Sequence, residues 1–256
     1  MTRKINYEDF VEKFKTKNTD DCYTPENIYE AVLNWCVAEY GIDKNKVVRP
    51  FYPGGDYENF DYGDNVVIDN PPFSIIIQII RFFNRYGINF FLFAPGLTLL
   101  NLKYNTDCTC IACCARLTYE NSASVNTSFV TNLGDKNIAF RTAPDLHRIL
   151  TDINKKNTIV KPYSTPKYKY PPEVVTSAML GVMCTHGIEF EVKKSECRFV
   201  RTLDEQKAHN TKIFGGGCLI SSAKAAEHAE IDKKMHNDVI CWKLSESEKE
   251  IINKLS

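Results

Sequence analysis

The chain has no excess of charge of either sign: 32 lysines and arginines stand against 32 aspartates and glutamates. A strongly basic protein advertises a nucleic-acid partner by net charge alone, and this one does not. It also lacks any apolar run near the ~18 residues that a membrane span needs. Its opening stretch, MTRKINYEDFVEKFK, mixes charges with aromatics and has no apolar core, so it does not read as a secretory leader. No internal repeat is present. The five histidines (His147, His186, His209, His228, His236) lie apart in sequence without partner spacing, and no role follows for them.

Cysteine is not scarce, but it lacks a pattern. Cys22, Cys36, Cys184, Cys197, Cys218 and Cys241 are scattered singly through a chain far longer than a disulfide-stapled domain. The cluster CTCIACC (Cys108, Cys110, Cys113, Cys114) contains one CxxC pair, with no second CxxC or CxxH pair at finger-like distance. The run alternates with apolar residues like a buried strand, where a thiol packs as a small hydrophobe. Structural cysteines in a reduced, cytoplasmic protein are expected, and no metal.

What is present suits one large α/β domain. With 43% hydrophobic residues the chain can build a full core. Residues 1–20 read as a charged, short helical lead-in. YTPENIYEAVLNWCVAEYG reads as a helix with Thr24 as N-cap, Pro25 at the first helical position, Ile28, Val32 and Trp35 on one face and Gly41 as the stop. KVVRPF is a short strand, YPGGDYENFDYGD an acid-rich loop and NVVID a second strand. Ser74 is placed to cap the helix of IIIQIIRFFNRYG, whose surface is apolar almost all round and predicts deep packing. INFFLFAPG is an unbroken apolar strand, as in a sheet covered on both faces, so strand–helix–strand predicts a right-handed parallel pair.

Three further stretches, CTCIACCARLTY, VNTSFVTNL and NIAFRT, have the spacing of an antiparallel extension of that sheet. PPEVVTSAMLGVMCTHGIEFEV reads as helix then strand, and TKIFGGGCLIS as a strand interrupted by a Gly215–Gly217 turn or bulge. Ser245 and Glu248 stand in capping-box register before a last helix. Residues 1–150 are expected to form the core, and 151–256 to continue the same domain with a basic Tyr/Pro segment and the C-terminal helix.

Charge is unevenly spread. From Gly54 to Phe73 the acids Asp56, Glu58, Asp61, Asp64 and Asp69 occur with no lysine or arginine. KKNTIVKPYSTPKYKYPP, from Lys155, has five lysines and three tyrosines and no acid. The acidic loop suits a cationic ligand or a solvated turn. The basic segment suits phosphates and stacked bases, or a solubilising surface loop.

The sharpest local feature is Asp69-Asn70-Pro71-Pro72-Phe73, directly after a buried strand. A loop that only turns the chain has cheaper residues for the purpose, although a double proline also serves as a rigid turn. Proline lacks an N–H, so the Pro71 carbonyl and the Asn70 side-chain oxygen can converge as acceptors on one amino group, while Phe73 offers a flat face. An exocyclic amine on a planar base is a poor nucleophile, because its lone pair is conjugated into the ring. Hydrogen bonds from its protons free that pair for direct attack on a sulfonium methyl. The base must first leave its duplex.

Asn70-Pro71-Pro72-Phe73 resembles the catalytic motif of S-adenosylmethionine-dependent adenine-N6 DNA methyltransferases. Tyr23-Thr24-Pro25 looks like their N-terminal cofactor motif, and RPFYPGGDY falls where their cofactor-binding glycine loop belongs. NTSFVTNL followed by PKYKY is similar to stretches of the EcoRI-type adenine-specific enzymes. The resemblance runs in order over roughly residues 20 to 220.

It implies a Rossmann-like methyltransferase fold with a mixed, mostly parallel sheet and helices on both faces. It implies Asn70, Pro71, Pro72 and Phe73 as catalytic residues, and S-adenosylmethionine held around Tyr23, Thr24, Pro25, Pro50, Gly54, Gly55, Asp56 and Asp69. DNA would lie across Lys161, Lys167, Tyr168 and Lys169. One departure stands out. About fifteen residues separate Gly55 from Asn70, where the family usually has two more strands, a helix and the acid that binds the cofactor ribose. Asp56, Glu58 or Asp61 would have to take that contact. The rival expectations are a decayed methyltransferase scaffold that binds DNA, and an amine methyltransferase acting on another substrate.

Overall fold

The run Asn89–Pro95 (β3) is apolar without interruption because both of its faces are covered. Phe90, Leu92 and Ala94 point into one core, and Phe91 and Phe93 into a second. This computed structural model describes residues 24–51, 56–119, 124–155, 168–209, 211–233, 240–241 and 243–255. The expected lead-in helix of residues 1–20 and most of the basic Tyr/Pro segment lie outside them.

Strand β3 sits within a seven-stranded sheet. Its other members are β1 (Val47–Val48), β2 (Val66–Asp69), β4 (Thr109–Thr118), β5 (Ser124–Thr131), β6 (Ile138–Thr142) and β9 (Glu191–Lys193). The order is β1-β2-β3-β5-β4-β6-β9. β1, β2 and β3 are mutually parallel, β5 is antiparallel to both β3 and β4, and β6 is parallel to β4. Five strands thus run one way, while β5 and β9 run the other. The chain is α/β with a mixed sheet. The expectation of a wholly antiparallel extension fails at β6, because the β5 hairpin returns between β3 and β4. β6 must then take the outer side of β4 in the same direction.

Helices cover both faces. α1 (Glu26–Tyr40) and α4 (Pro144–Lys155) bury Val32, Trp35, Leu146 and Leu150 against one face. α2 (Ile76–Tyr86), α3 (Leu99–Asn105) and α5 (Ser177–Thr185) cover the other. Between them, β8 (Val174–Thr176), β10 (Cys197–Val200) and β11 (Gly217–Ile220) form a small antiparallel sheet in the order β10-β11-β8. One side of it joins the α2 core through Val175, Cys218 and Ile220. Its other side makes a third core, with Val174 and Leu219 against Ile252. β7 (Tyr168–Lys169) pairs in parallel with β12 (Ile240–Cys241), apart from these sheets. Among the described residues the remaining α-helices are α6 (Asp204–Ala208), α7 (Ser222–Lys233) and α8 (Glu246–Asn253).

Local signals hold unevenly. Gly41 ends α1 in the left-handed region at φ 65°, and Ser245 and Glu248 exchange both capping-box bonds. Thr24 does not cap α1: the helix starts at Glu26, with Pro25 at the cap and no side-chain cap bond. Likewise α2 starts at Ile76 without a side-chain cap from its N-cap residue, Ile75. Nor is α2 buried all round. Ile76, Ile79, Ile80 and Phe83 pack inward, while Gln78, Arg81, Arg85 and Tyr86 face solvent. In a helix flanking one side of a sheet, a single face suffices for packing.

The cysteine cluster is explained by β4. Cys110 packs in the α2 core and Cys113 in the α1 core, on opposite faces of one strand, so this CxxC pair cannot converge on a metal. Alternation returns Cys114 to the α2 side; it lies within a bulge between Ile111 and Ala115 at φ 54°, and its N–H donates to Ser128 Oγ (3.0 Å). Burial pushes the Cys110 and Cys113 thiols up, Cys114 to about 11 and Cys184 to about 12.

These four thiols are therefore neutral and shielded at pH 8. Iodoacetamide labelling read by mass spectrometry is expected to spare them in the native protein and to modify them in denaturant. Phe91 is fully buried, with ring centroids 4.9 Å from Phe129 and 5.8 Å from Trp35, so it clamps α1 to the sheet. Phe91→Ala is expected to lower unfolding free energy by about 3–5 kcal/mol in a denaturant titration.

Candidate functional site

Strand β1 pairs with β2 only at Val47–Val66 and Val48–Val67, so β2 continues two residues past its neighbour. Buried backbone groups on that side need other partners. The Ile68 carbonyl accepts from the Tyr29 hydroxyl of α1 (3.0 Å). At the next residue the Asp69 side chain supplies the link. Its Oδ2 accepts from the Phe51 N–H (2.9 Å) and its Oδ1 from the Asn70 N–H (2.9 Å). Arg49 completes the joint. Its Nε lies 3.5 Å from Asp69 Oδ1, one terminal nitrogen lies 3.6 Å from Glu26, and its guanidinium sits 3.7 Å over the Tyr29 ring.

One buried carboxylate thus pins the segment leaving β1 to the residue that opens the double-proline turn. Asp69 is 3% exposed, and burial raises its pKa; the two backbone N–H bonds and Arg49 offset part of that rise. Asp69 is consequently a holder of the turn, with both oxygens occupied by the chain itself. Glu26 and Asp69 against Arg49 leave one net negative charge beside the strand end.

The turn itself is rigid. Pro71 is buried, and Pro72 and Phe73 are half-buried. The Pro72 carbonyl closes the turn by accepting from the Ile75 N–H (3.3 Å), which leaves that task to Pro72 rather than Pro71. Phe73 packs against apolar residues of both cores, so its ring caps the end of the sheet where the two layers meet. This is the carboxyl end of parallel strands β1, β2 and β3, the edge at which open α/β sheets place ligands.

Of the other residues singled out from sequence, Pro50 is buried in the segment that Asp69 holds, and Thr24 and Pro25 enter α1, whose Glu26 contacts Arg49. The Thr24 hydroxyl is buried with no hydrogen-bond partner among the described residues. Tyr23, Gly54, Gly55, Lys161 and Lys167 lie outside the described residues. Tyr168 and Lys169 form β7, whose partner is β12. Asp56 is exposed, and its carboxylate is engaged by its own loop: Asn59 Nδ2 (2.6 Å) and then the Glu58 N–H (3.1 Å) hold its pKa below the usual range. A surface cavity of about 620 Å³, lined by Phe60, Tyr62, Asp64, Phe82, Tyr86 and Asn89 among others, lies at the opposite, amino-terminal edge of β2 and β3. It shares no residue with the double-proline turn.

Sequence reasoning missed Tyr29 and Arg49 as site residues. Neither belongs to the motif, and their pairing joins a helix to a strand exit twenty residues later. The available signal was the single arginine of RPFYPGGDY, standing just before a stretch otherwise free of basic residues.

Asp69 gives the joint a pH signature. Its folded-state pKa lies above the ordinary 3.8, so the folded protein holds a proton that the unfolded chain has already lost. The associated stability is complete below 3.8 and is lost as pH rises through the folded value. Unfolding free energies measured across this range are expected to show wild type losing stability relative to Asp69→Asn as pH rises. A parallel pair of curves would show that Asp69 is not the titrating group. Compared with known proteins, the chain matches no family model, no curated protein and no solved structure.

Proposed function

We propose that the chain transfers a methyl group from S-adenosylmethionine to the N6 amino group of adenine in DNA, within a Rossmann-like methyltransferase fold. The observation that carries this reading is the placement of Asn70-Pro71-Pro72-Phe73 as a braced turn at the carboxyl end of β2, inside a parallel trio with helices on both faces. In this role the Asn70 side-chain oxygen and the Pro71 carbonyl accept from the adenine amino group, and Phe73 stacks the extruded base. In that transfer the N6 nitrogen would gain the methyl, and the S–CH₃ electron pair would stay with the departing neutral thioether. The N6 proton then leaves to solvent, since the base near the turn, Asp69, is committed to Phe51, Asn70 and Arg49.

S-adenosylmethionine, when bound, supplies the electrophilic methyl. Thr24, Pro25 and Pro50 stand around the end of β1, and the net negative charge of Glu26, Asp69 and Arg49 suits a cationic sulfonium nearby. The ribose contact expected of Asp56 would require its carboxylate to release Asn59 and Glu58.

A second reading has its own support. β1 and β2 are sheet neighbours joined by residues 49–65, a connection too short for the two strands and helix usual in the family. Removing such an excursion between two adjacent parallel strands leaves them paired, as here, with less wall around a cofactor. That favours a methyltransferase-like scaffold that binds DNA without modifying it.

Transfer of tritiated methyl from S-adenosylmethionine to adenine-containing DNA separates the two. Asn70→Ala is expected to lower the rate by about 100-fold or more, the scale of removing one positioned polar group from a reacting centre, with the thermal melt unchanged. No transfer by folded wild-type protein would make the second reading the correct one.

A further inference from the structure

The half of α2 remote from the double-proline turn borders a groove of about 550 Å³ that no reading above uses. Arg81, Arg85, Lys103 and Tyr104 line it, with Asp107 as the one acidic lining residue. That acid is already neutralised: Lys194 Nζ lies 2.6 Å and Lys103 Nζ 3.7 Å from its Oδ1, and the pair holds its pKa below the usual range. Arg81 donates to the Asn105 carbonyl through Nε (3.2 Å) and one terminal nitrogen (2.9 Å), a neutral partner that fixes the guanidinium without cancelling its charge.

The groove continues onto an aromatic shelf. Tyr104 is 58% exposed, yet its ring is held against Phe199 of β10, with centroids 4.4 Å apart and planes 26° from parallel. Arg201 reaches the same ring, its guanidinium carbon 5.5 Å from the centroid. Arg81, Arg85 and Lys103 thus line the groove, Lys194 and Lys103 hold its Asp107, and Arg201 meets its Tyr104. In a chain of zero net charge this concentration is a local property, invisible in the total.

We infer that this groove carries the sugar-phosphate backbone of the nucleic acid flanking the target base, with Tyr104 as a stacking face. The inference rests on the nucleic-acid reading of the Asn70 turn and gives that substrate a second surface. α2 joins the two. It begins three residues after Phe73, and Arg81 and Arg85 follow Ile76 by about 8 and 14 Å along the axis at ~1.5 Å per residue. A strand whose base is seated at the turn would reach this groove by running along α2. Fixed guanidinium groups and a pre-stacked ring are the pairing that tracks a backbone without reading its sequence.

The test is fluorescence anisotropy of labelled single-stranded and duplex oligonucleotides across a salt series. It compares wild type, Arg85→Gln/Arg201→Gln and Tyr104→Ala; all three positions are exposed, and circular dichroism melts check the fold. Wild type is expected to bind with a steep salt slope. The double variant should weaken binding about tenfold or more and flatten the slope by about two, near 0.9 per lost phosphate contact on duplex DNA. Tyr104→Ala should weaken single-stranded binding more than it changes the slope.

Unchanged affinity and slope in the double variant, or no DNA binding by wild type at low salt, would overturn the inference. So would competition by poly-glutamate as effective as by DNA, which would assign the groove to acidic peptides. The two readings fail separately. Groove-dependent binding without methyl transfer would sink the catalytic reading alone, and methyl transfer untouched by the double variant would sink the groove alone.

Discussion

Strand β2 outruns β1 by two residues, and the candidate site is organised by how that unpaired edge is satisfied. Buried backbone groups demand partners, and here no strand provides them. Tyr29 takes the Ile68 carbonyl, and the Asp69 carboxylate bridges the Phe51 and Asn70 N–H groups. A carboxylate so buried costs stability unless it is bonded and balanced; the two N–H groups bond it, and Arg49 balances its charge while lying over Tyr29. Helix α1, the β1 exit and the double-proline turn are therefore one mechanical unit. The same bonds that close the sheet edge orient Asn70 and Phe73.

The interior follows a different constraint. A strand with both faces covered must offer apolar side chains in both directions, and β3 and β4 do so with phenylalanine in one and small thiols in the other. Thiols suit β4 because α5 approaches closely: a side chain at Gly181 would press on Cys114, with its Cβ 3.0 Å from that of Cys114. Cys114 lies within the β4 bulge. At Cys114, small side chains and close helix packing are one adjustment. Gly215 plays a comparable part at the surface. At φ 75° its bare backbone meets the Leu97 carbonyl just beyond β3, and any Cβ would collide with it.

The proposed chemistry and the proposed groove stand at the two ends of α2. Its inner face is fully committed to the core through Ile76, Ile79, Ile80 and Phe83, so the helix is a rigid spacer between Phe73 and Arg85. A short β1–β2 connection leaves little protein around the proposed cofactor edge, whereas the proposed backbone groove is lined by cationic side chains. This balance gives the binding-only alternative its weight, and it makes binding and catalysis separable properties of one surface.

Periodicity and composition alone determined much of this molecule. The two-sided burial of β3, the inward stripe of α1, the Gly41 stop and the Ser245–Glu248 cap are local facts, written in residues that lie within a turn or a strand of one another. Asn70-Pro71-Pro72-Phe73 was legible for the same reason. The rest depended on contacts between distant segments. That β6 joins β4 in parallel follows from where the β5 hairpin inserts, which no local pattern encodes. That α2 buries only one side follows from what covers it. The Tyr29–Arg49–Asp69 joint spans forty residues, and the basic groove gathers side chains from Arg81 to Arg201. Only tertiary structure decided these, because charge and hydrogen-bond balance are properties of neighbours in space, and a sequence orders neighbours only along the chain.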